Sequence, residues 1–392
     1  MNGTVNIRPI QPEDEAAVIE LHENHYWREN CLLLNPDFYR WQFALPPDSA
    51  AAGGDQSVVA VEKGRLLSFL GVVPARASFR GRPLKAAHLI TWLSAPEARG
   101  RGVGLLLMTY MAESFDFLFG RSVTPAALTI YQRLGFRYFA NCKRWIGILD
   151  PDAALSLAVE PSSLSSRRVQ ARTIPAIDTA RRINVSTALP SGAESLTARV
   201  LADSTAFDRT NDYLAWRYEN HPYFDYRFLA LGAPSNPDGI AVLRAEEVSG
   251  RAGRVLRVVE FIAAPAHSRQ LAAAVFAYGR EQNCAYADVF GMSEYFVAGF
   301  VAAGGFSTLE EPEIRLPHLL QPWDPNTDPP GLLFFGRRDV SLSATIGPAD
   351  DISRIHVSKG DGNMDWPSWV PTIDGGTIAP LRKPAVARSI KT

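Results

Sequence analysis

The sequence predicts an α/β (α+β) protein made of two tandem copies of one domain, followed by a C-terminal extension. Three observations carry this. Short apolar runs with strand periodicity alternate with helical patterns over roughly the first 140 residues. A set of landmarks then recurs in the same order after a Pro/Ser-rich stretch at 161–166. Near residue 100 a glycine-rich turn joins a strand pattern to a helix pattern.

The elements follow in order. Residues 5–8 alternate and read as a strand. Gln11-Pro12-Glu13-Asp14 opens a helix, because proline suits a first turn and acids suit its positive end. Ala16, Val18, Ile19 and Leu21 give that helix an apolar face. Residues 57–62 and 66–73 read as strands joined by a turn at Lys63-Gly64. A further strand covers 87–93, a strongly apolar helix 102–119, and a second helix 128–134, which Gly135 ends. Another strand begins at Arg137.

The repeat rests on three echoes. Asp37-Phe38-Tyr39-Arg40-Trp41-Gln42-Phe43 is matched by Asp212-Tyr213-Leu214-Ala215-Trp216-Arg217-Tyr218. The strand ending at Pro96 is matched by one ending at Pro265, and Gly135-Phe136 by Gly305-Phe306. The offsets are 175, 169 and 170 residues, nearly constant and too long for solenoid units, so they indicate a duplicated domain. The expected division is a first domain at 1–160, a second at 161–320 and an extension at 321–392. Residues 321–331 read as extended and proline-rich, 332–335 as one added strand, and the remainder as a wrapping or partly disordered tail.

Composition narrows the function classes. The chain has 392 residues, 46% hydrophobic and 21% charged, which excludes a wholly disordered protein. Its formal charge of -1 argues against a general nucleic-acid coat, so nucleic acid is not an expected partner. Cys31, Cys142 and Cys284 are far apart and form no C-x-x-C pair, so no metal module is expected. Sparse cysteine, no apolar run of membrane-spanning length and a first 20 residues that read as folded together give an expectation of a cytoplasmic protein.

The segment most informative about chemistry is Ala95-Pro96-Glu97-Ala98-Arg99-Gly100-Arg101-Gly102-Val103-Gly104-Leu105. Glycines 100, 102 and 104 allow a tight turn and a close approach of backbone to ligand. The helix start presents unpaired N–H groups and a positive dipole end, a combination that binds phosphate, and Arg99 and Arg101 add charge. No Gly-Lys-Ser/Thr follows, so this is not a P-loop, and the glycine spacing is not that of the dinucleotide fingerprint.

The spacing Arg99-x-x-Gly102-x-Gly104 resembles motif A of the GNAT acyltransferase superfamily. Tyr131-Gln132-Arg133-Leu134-Gly135-Phe136 resembles that superfamily's Tyr-x-x-x-Gly-Phe segment, in the right order and at a suitable separation. The resemblance covers about residues 4–147 and implies two GNAT-like domains with mixed, mostly antiparallel sheets. It also implies acetyl-CoA or another acyl-CoA as donor. The N–H groups of Arg101, Gly102, Val103, Gly104 and Leu105, flanked by Arg99 and Gly100, would hold the pyrophosphate. The strand edge at Trp92, Leu93 and Ser94 would pair with the pantetheine arm and polarise the thioester carbonyl. Tyr131 would protonate the departing thiolate as general acid. His22, Glu23 and His25 lie on the expected acceptor side, and no base is singled out. The expected acceptor is a small-molecule amine such as an amino sugar or a natural-product amine.

In the second copy the corresponding turn is Pro265-Ala266-His267-Ser268-Arg269-Gln270-Leu271, without glycine, and Val301 stands where the first copy has Tyr131. That copy is expected to bind no CoA. Two other functions remain open: an aminoacyl transferase using charged tRNA on the same fold, and a CoA-binding scaffold without turnover. The aromatic cluster at 216–227 reads as core packing. Asp361-Gly362-Asn363-Met364-Asp365 starts like a calcium loop but lacks its glycine and closing glutamate. Residues 358–367 are similar to a Gly-Asp-Gly-rich C-terminal segment of GNAT-like proteins from bacterial polysaccharide clusters.

Overall fold

The structure is a computed structural model that describes residues 4–25, 36–121, 123–175, 183–248, 251–318, 331–337, 354–362 and a short strand pair, 372–373 with 377–378. The expectations for 321–330, for Cys31 and for the last fourteen residues fall outside these ranges. The chain begins with β1 (Asn6–Pro9), α1 (Glu15–His25), α2 (Pro36–Phe43) and α3 (Pro47–Ala51). Strands β2 (Val58–Glu62), β3 (Arg65–Phe79) and β4 (Arg82–Ser94) follow as hairpins. Next come α4 (Val103–Ser114), β5 (Phe117–Arg121), α5 (Pro125–Arg133), β6 (Arg137–Phe139) and β7 (Lys143–Ile148). After α6 (Pro151–Leu157) and α7 (Ser163–Ala171) the pattern restarts with β8 (Ile183–Ser186), α8 (Ala193–Leu201), β9 (Thr205–Phe207) and α9 (Asn211–Leu214). The second half continues with β10 (Arg227–Ala233), β11 (Asn236–Glu247), β12 (Arg254–Ala263), α10 (Pro265–Glu281), β13 (Cys284–Gly291), α11 (Ala298–Ala302) and β14 (Phe306–Ser307). The last well-buried strand is β15 (Leu332–Gly336).

Among the described residues these strands form two large mixed sheets. The first has the order β1-β2-β3-β4-β5-β15-β6, with β9 added against β3; the second has the order β14-β7-β13-β12-β11-β10-β8. In each sheet one pair is parallel, β4 with β5 and β12 with β13, and the other neighbours are antiparallel. Sheet membership does not follow chain order. Strand β7 ends the first repeat yet lies in the second sheet, between β13 and β14. Strand β15 follows the second repeat yet lies in the first sheet, between β5 and β6. The exchange crosses the divisions expected at 160 and 320.

The two halves also share a core. Phe38, Trp41, Phe43 and Phe69 of the first half pack with Trp216, Tyr218, Phe228 and Val259 of the second in one apolar cluster. At its centre the two equivalent tryptophans stack, ring centroids 5.3 Å apart. Each indole N–H donates to the other's backbone carbonyl, Trp216 to Trp41 at 2.9 Å and Trp41 to Trp216 at 3.3 Å. The residues that announced the duplication therefore form a reciprocal contact about a local twofold. Trp216 sits in a π-helical turn at Ala215–Glu219, which follows α9.

Three local expectations are corrected. The apolar run 102–119 is not one helix: α4 stops at Ser114 and 117–121 form β5. A strand buried on both faces and an apolar helix have the same composition, and here Phe117 and Phe119 face one core cluster while Leu118 faces another. The stretch at 161–166 is not a linker. Ser162 caps α7 in a capping box with Ser165, so these serines start a helix. The C-terminal region expected to wrap loosely contains a fully buried piece, 355–361.

Phe334 is fully buried against Phe119 and Phe117 across the exchanged strand. Phe334→Ala is expected to destabilise the protein by about 3–5 kcal/mol. Denaturant unfolding checks this, and a change below 1 kcal/mol would mean that β15 is not integral to the first sheet.

Candidate active site

The geometry of the glycine-rich turn follows from its sequence. Pro96–Ala98 make one turn of 3-10 helix, after which Gly100 and Gly102 take φ of 74° and 76°. Only glycine adopts that region without strain. Gly102 is the N-cap of α4, so the N–H groups of Val103, Gly104 and Leu105 lie in its first turn without intrahelical acceptors. A Cβ on Gly104 would stand 2.5 Å from Cζ2 of Trp92 and 3.3 Å from Cδ1 of Ile130, so glycine lets the helix start close down on β4 and α5. Arg99 is exposed beside the turn. Arg101 is not aimed solely at the turn; it pairs with Glu62 of β2 at 2.7 Å.

The turn lies above a split in the sheet. The parallel ladder between β4 and β5 runs from Ala86–Phe117 to Leu89–Gly120 and stops there. Beyond it, Thr91 to Ser94 pair only with β3, and Ile90 is the extra residue of a bulge between Thr91–Gly71 and Leu89–Val72. One edge of Trp92, Leu93 and Ser94 thus faces the gap. Trp92 is fixed by its indole N–H, which donates to Ser68 Oγ at 3.2 Å, and Ser68 in turn donates to the carbonyl of Leu93 at 2.7 Å.

Tyr131 stands edge-on to Trp92, 5.7 Å between ring centroids, and packs on Phe136 at 4.8 Å. Burial pushes its phenol well above the ordinary range, so it stays protonated at neutral pH. Its hydroxyl has no hydrogen-bond partner among the described residues. The structure therefore brings together the cradle, the open strand edge and Tyr131. It does not gather the acceptor-side candidates as a set. His22 is buried, with Nδ1 on the Val18 carbonyl at 2.8 Å and its ring edge-on to Phe69; Glu23 is exposed; the side chain of His25 lies outside the described residues.

The opposite face of the split holds a polar cluster that sequence reasoning missed. Arg209 is fully buried and donates from Nε to Glu260 at 2.9 Å and from Nη2 to both oxygens of Asp361 at 2.9 and 2.8 Å. Tyr218 also donates to Glu260, at 2.7 Å. The backbone N–H of Gly362 donates to Nδ1 of His88 on β4 at 3.1 Å. Next to this, Asp288 on β13 is paired with Arg144 at 2.9 Å and with Lys359. Polar or ionisable residues inside mainly apolar strands were the available signal: His88 in Ala86–Trp92, and Arg257 and Glu260 in Val255–Ile262.

The second sheet shows the same split without the cradle. Its parallel ladder ends at Val258–Val289, at an offset of 169 from Leu89–Gly120. There α10 starts at Pro265, with Ala264 as its N-cap directly after β12. Segment 355–361 enters the gap: His356, Val357 and Ser358 line a small cavity with Phe261, Phe290 and Phe296.

Residues 6–139 match the model of the acetyltransferase (GNAT) domain. No curated protein matches the chain. Among solved structures, a GCN5-related N-acetyltransferase from Anabaena variabilis ATCC 29413 matches with a TM-score of 0.50 at 13% identity, over 84% of this chain and 72% of that one. One from Kribbella flavida gives 0.51 at 15% identity, over 74% and 64%. A conserved protein of unknown function from Enterococcus faecalis V583 gives 0.52 at 12% identity, over 85% and 72%. At this identity the likenesses show the fold, and they extend it over both sheets.

The buried cluster sets the acid response. Burial holds the His88 ring down at about 4 and His356 at about 3, against an ordinary 6.5. Unfolding lets these rings take up protons below 6.5, so the unfolded state binds more protons and stability falls with pH from 6.5 toward 4. Asp288, held at about 2 by Lys359 and Arg144, adds a second loss below 3.8. Thermal unfolding from pH 7 to pH 4 is expected to show a steadily falling midpoint; a flat midpoint over that interval would contradict the burial of both imidazoles.

Proposed function

We propose that this chain, whose first domain is an acetyltransferase domain of the GNAT fold, transfers an acyl group from acyl-CoA to a small-molecule amine. The observation that carries the reading is the cradle above an open strand edge, with a protonated phenol beside it. The fit to an acyl-CoA is steric and electrostatic. First-turn N–H groups and the exposed Arg99 suit a pyrophosphate, and the unpaired edge of Trp92–Ser94 suits the amide-bearing arm of the donor.

In this reading the amine attacks the thioester carbonyl directly, without an acyl-enzyme. Cys142 and Cys284, the cysteines among the described residues, are buried, and burial pushes their thiols up, to about 12 and about 11. A backbone N–H of the β4 edge stabilises the charge that develops on the carbonyl oxygen. As the C–S bond breaks, Tyr131 gives its proton to the thiolate, which a buried neutral phenol close to the split is suited to do; the proton lost by the attacking nitrogen passes to solvent, and solvent reprotonates Tyr131. The second domain takes no donor, and its role is to wall the acceptor side. Acetyl is the expected acyl group and an amino sugar or similar amine the expected acceptor.

Calorimetric titration with acetyl-CoA is expected to give one site per chain, and Gly102→Glu to abolish it. Glutamate at φ 76° strains the turn and puts a carboxylate where phosphate would sit. Unaltered binding by that variant would remove the cradle assignment. Tyr131→Phe is expected to lower kcat by about 100-fold while leaving acetyl-CoA affinity within twofold. Steady-state rates on an amine panel decide this, and unchanged turnover would take Tyr131 out of the mechanism.

A further inference from the structure

His88 stands where β4 and β5 begin to part, paired with Phe119 one rung before the ladder ends. Its ring leaves the sheet on the face away from α4 and α5, 3.9 Å from the ring of Phe207 and 5.8 Å from that of Phe119. Only 1% of the residue is exposed. Nδ1 accepts the N–H of Gly362, which in a neutral imidazole leaves the hydrogen on Nε2. Nε2 has no partner among the described residues. A buried donor without an acceptor is destabilising, yet this one is held in place from several sides.

The hold comes from 358–362. Asp361 takes two bonds from Arg209 and one from the backbone N–H of Ser358 at 2.9 Å. Gly362 follows with φ of 60°, and a Cβ there would stand 2.8 Å from Phe119, so glycine is required for its N–H to reach the ring. The charged groups that act on the imidazole are Asp361, Arg209 and Arg217; burial and the two guanidiniums outweigh the carboxylate and keep it neutral.

We propose that His88 is a further catalytic residue of the transferase site, its Nε2–H donating to a substrate oxygen at the split, and that 358–362 form the brace that fixes its tautomer. Asp361 is then a positioning residue. The inference rests on the donor site proposed above. The oxygen belongs either to the acyl group or to the amine acceptor, since either presents the same hydrogen-bond acceptor to the ring.

Ring-nitrogen NMR of the full chain labelled with ¹⁵N-histidine tests this, with CoA, acetyl-CoA, and acetyl-CoA together with an amino sugar as probes. A shift of the His88 Nε2–H signal with acetyl-CoA but not with CoA assigns the acyl oxygen. A shift that needs the amino sugar as well assigns the acceptor. Asp361→Asn is expected to move the ring toward a mixed tautomer without changing acetyl-CoA affinity. His88→Phe is expected to slow transfer by about 100-fold, with His88→Gln, which keeps an N–H donor, recovering much of the rate. If acetyl-CoA binds but the His88 signal moves in none of the titrations, the proposal is overturned and the donor site stands. If the unaltered chain binds no acetyl-CoA, the donor site fails and this inference fails with it.

Discussion

Each sheet is completed by a strand from outside its own repeat, and this reciprocal exchange constrains everything else in the molecule. β15 fills the first sheet between β5 and β6, and β7 fills the second between β13 and β14. The first sheet is complete only after the chain has passed through both halves, and the second includes the last strand of the first half. A buried strand cannot leave its backbone N–H and C=O groups unpaired, so removing either one would strand two edges at once. The tryptophan pair is the side-chain counterpart of the same symmetry. Trp41 and Trp216 each satisfy the other's indole N–H, which explains why a large polar aromatic recurs at that point of both copies.

The polar cluster bridges the two sheets. Arg209 reaches Glu260 on the second sheet and Asp361 on the returning C-terminal segment, while Gly362 of that segment touches His88 on the first sheet. Fully buried guanidinium and carboxylate groups gain little net stability over apolar packing, and breaking one such pair leaves an uncompensated charge. Such a network therefore specifies one arrangement of the two sheets and the tail far more than it adds stability.

The duplicated split has had two fates. In the first copy a glycine turn stands beside a strand edge that pairs on one side only. In the second copy the helix begins directly after the strand, and the chain's own residues 355–361 lie in the gap. The same strand geometry leaves an open edge in one copy and meets the tail in the other. The turn of the first copy carries Gly100, Gly102 and Gly104, and the matching turn of the second carries no glycine.

The glycine turn and the tyrosine proposed as the donor side were legible in the sequence because they are local. Gly100, Gly102 and Gly104 dictate a turn that few other residues permit, and Tyr131 lies a fixed helix length before Gly135. The duplication was legible for the same reason, through Trp41 and Trp216 and two shorter echoes. The misread elements were those in which composition has two solutions: Phe115 to Phe119 suits a buried helix or a buried strand, and Ser162 to Ser165 suits a linker or a capping box. The buried polar cluster was not legible as a unit. His88, Arg209, Glu260 and Asp361 are scattered over 274 residues, and nothing in any one neighbourhood marks them as partners. The sequence by itself determined the local turns, caps and repeat, because backbone sterics act over a few residues. Only the tertiary structure decided which sheet each strand joins and which charges meet, because pairing and burial are settled between segments far apart in the chain.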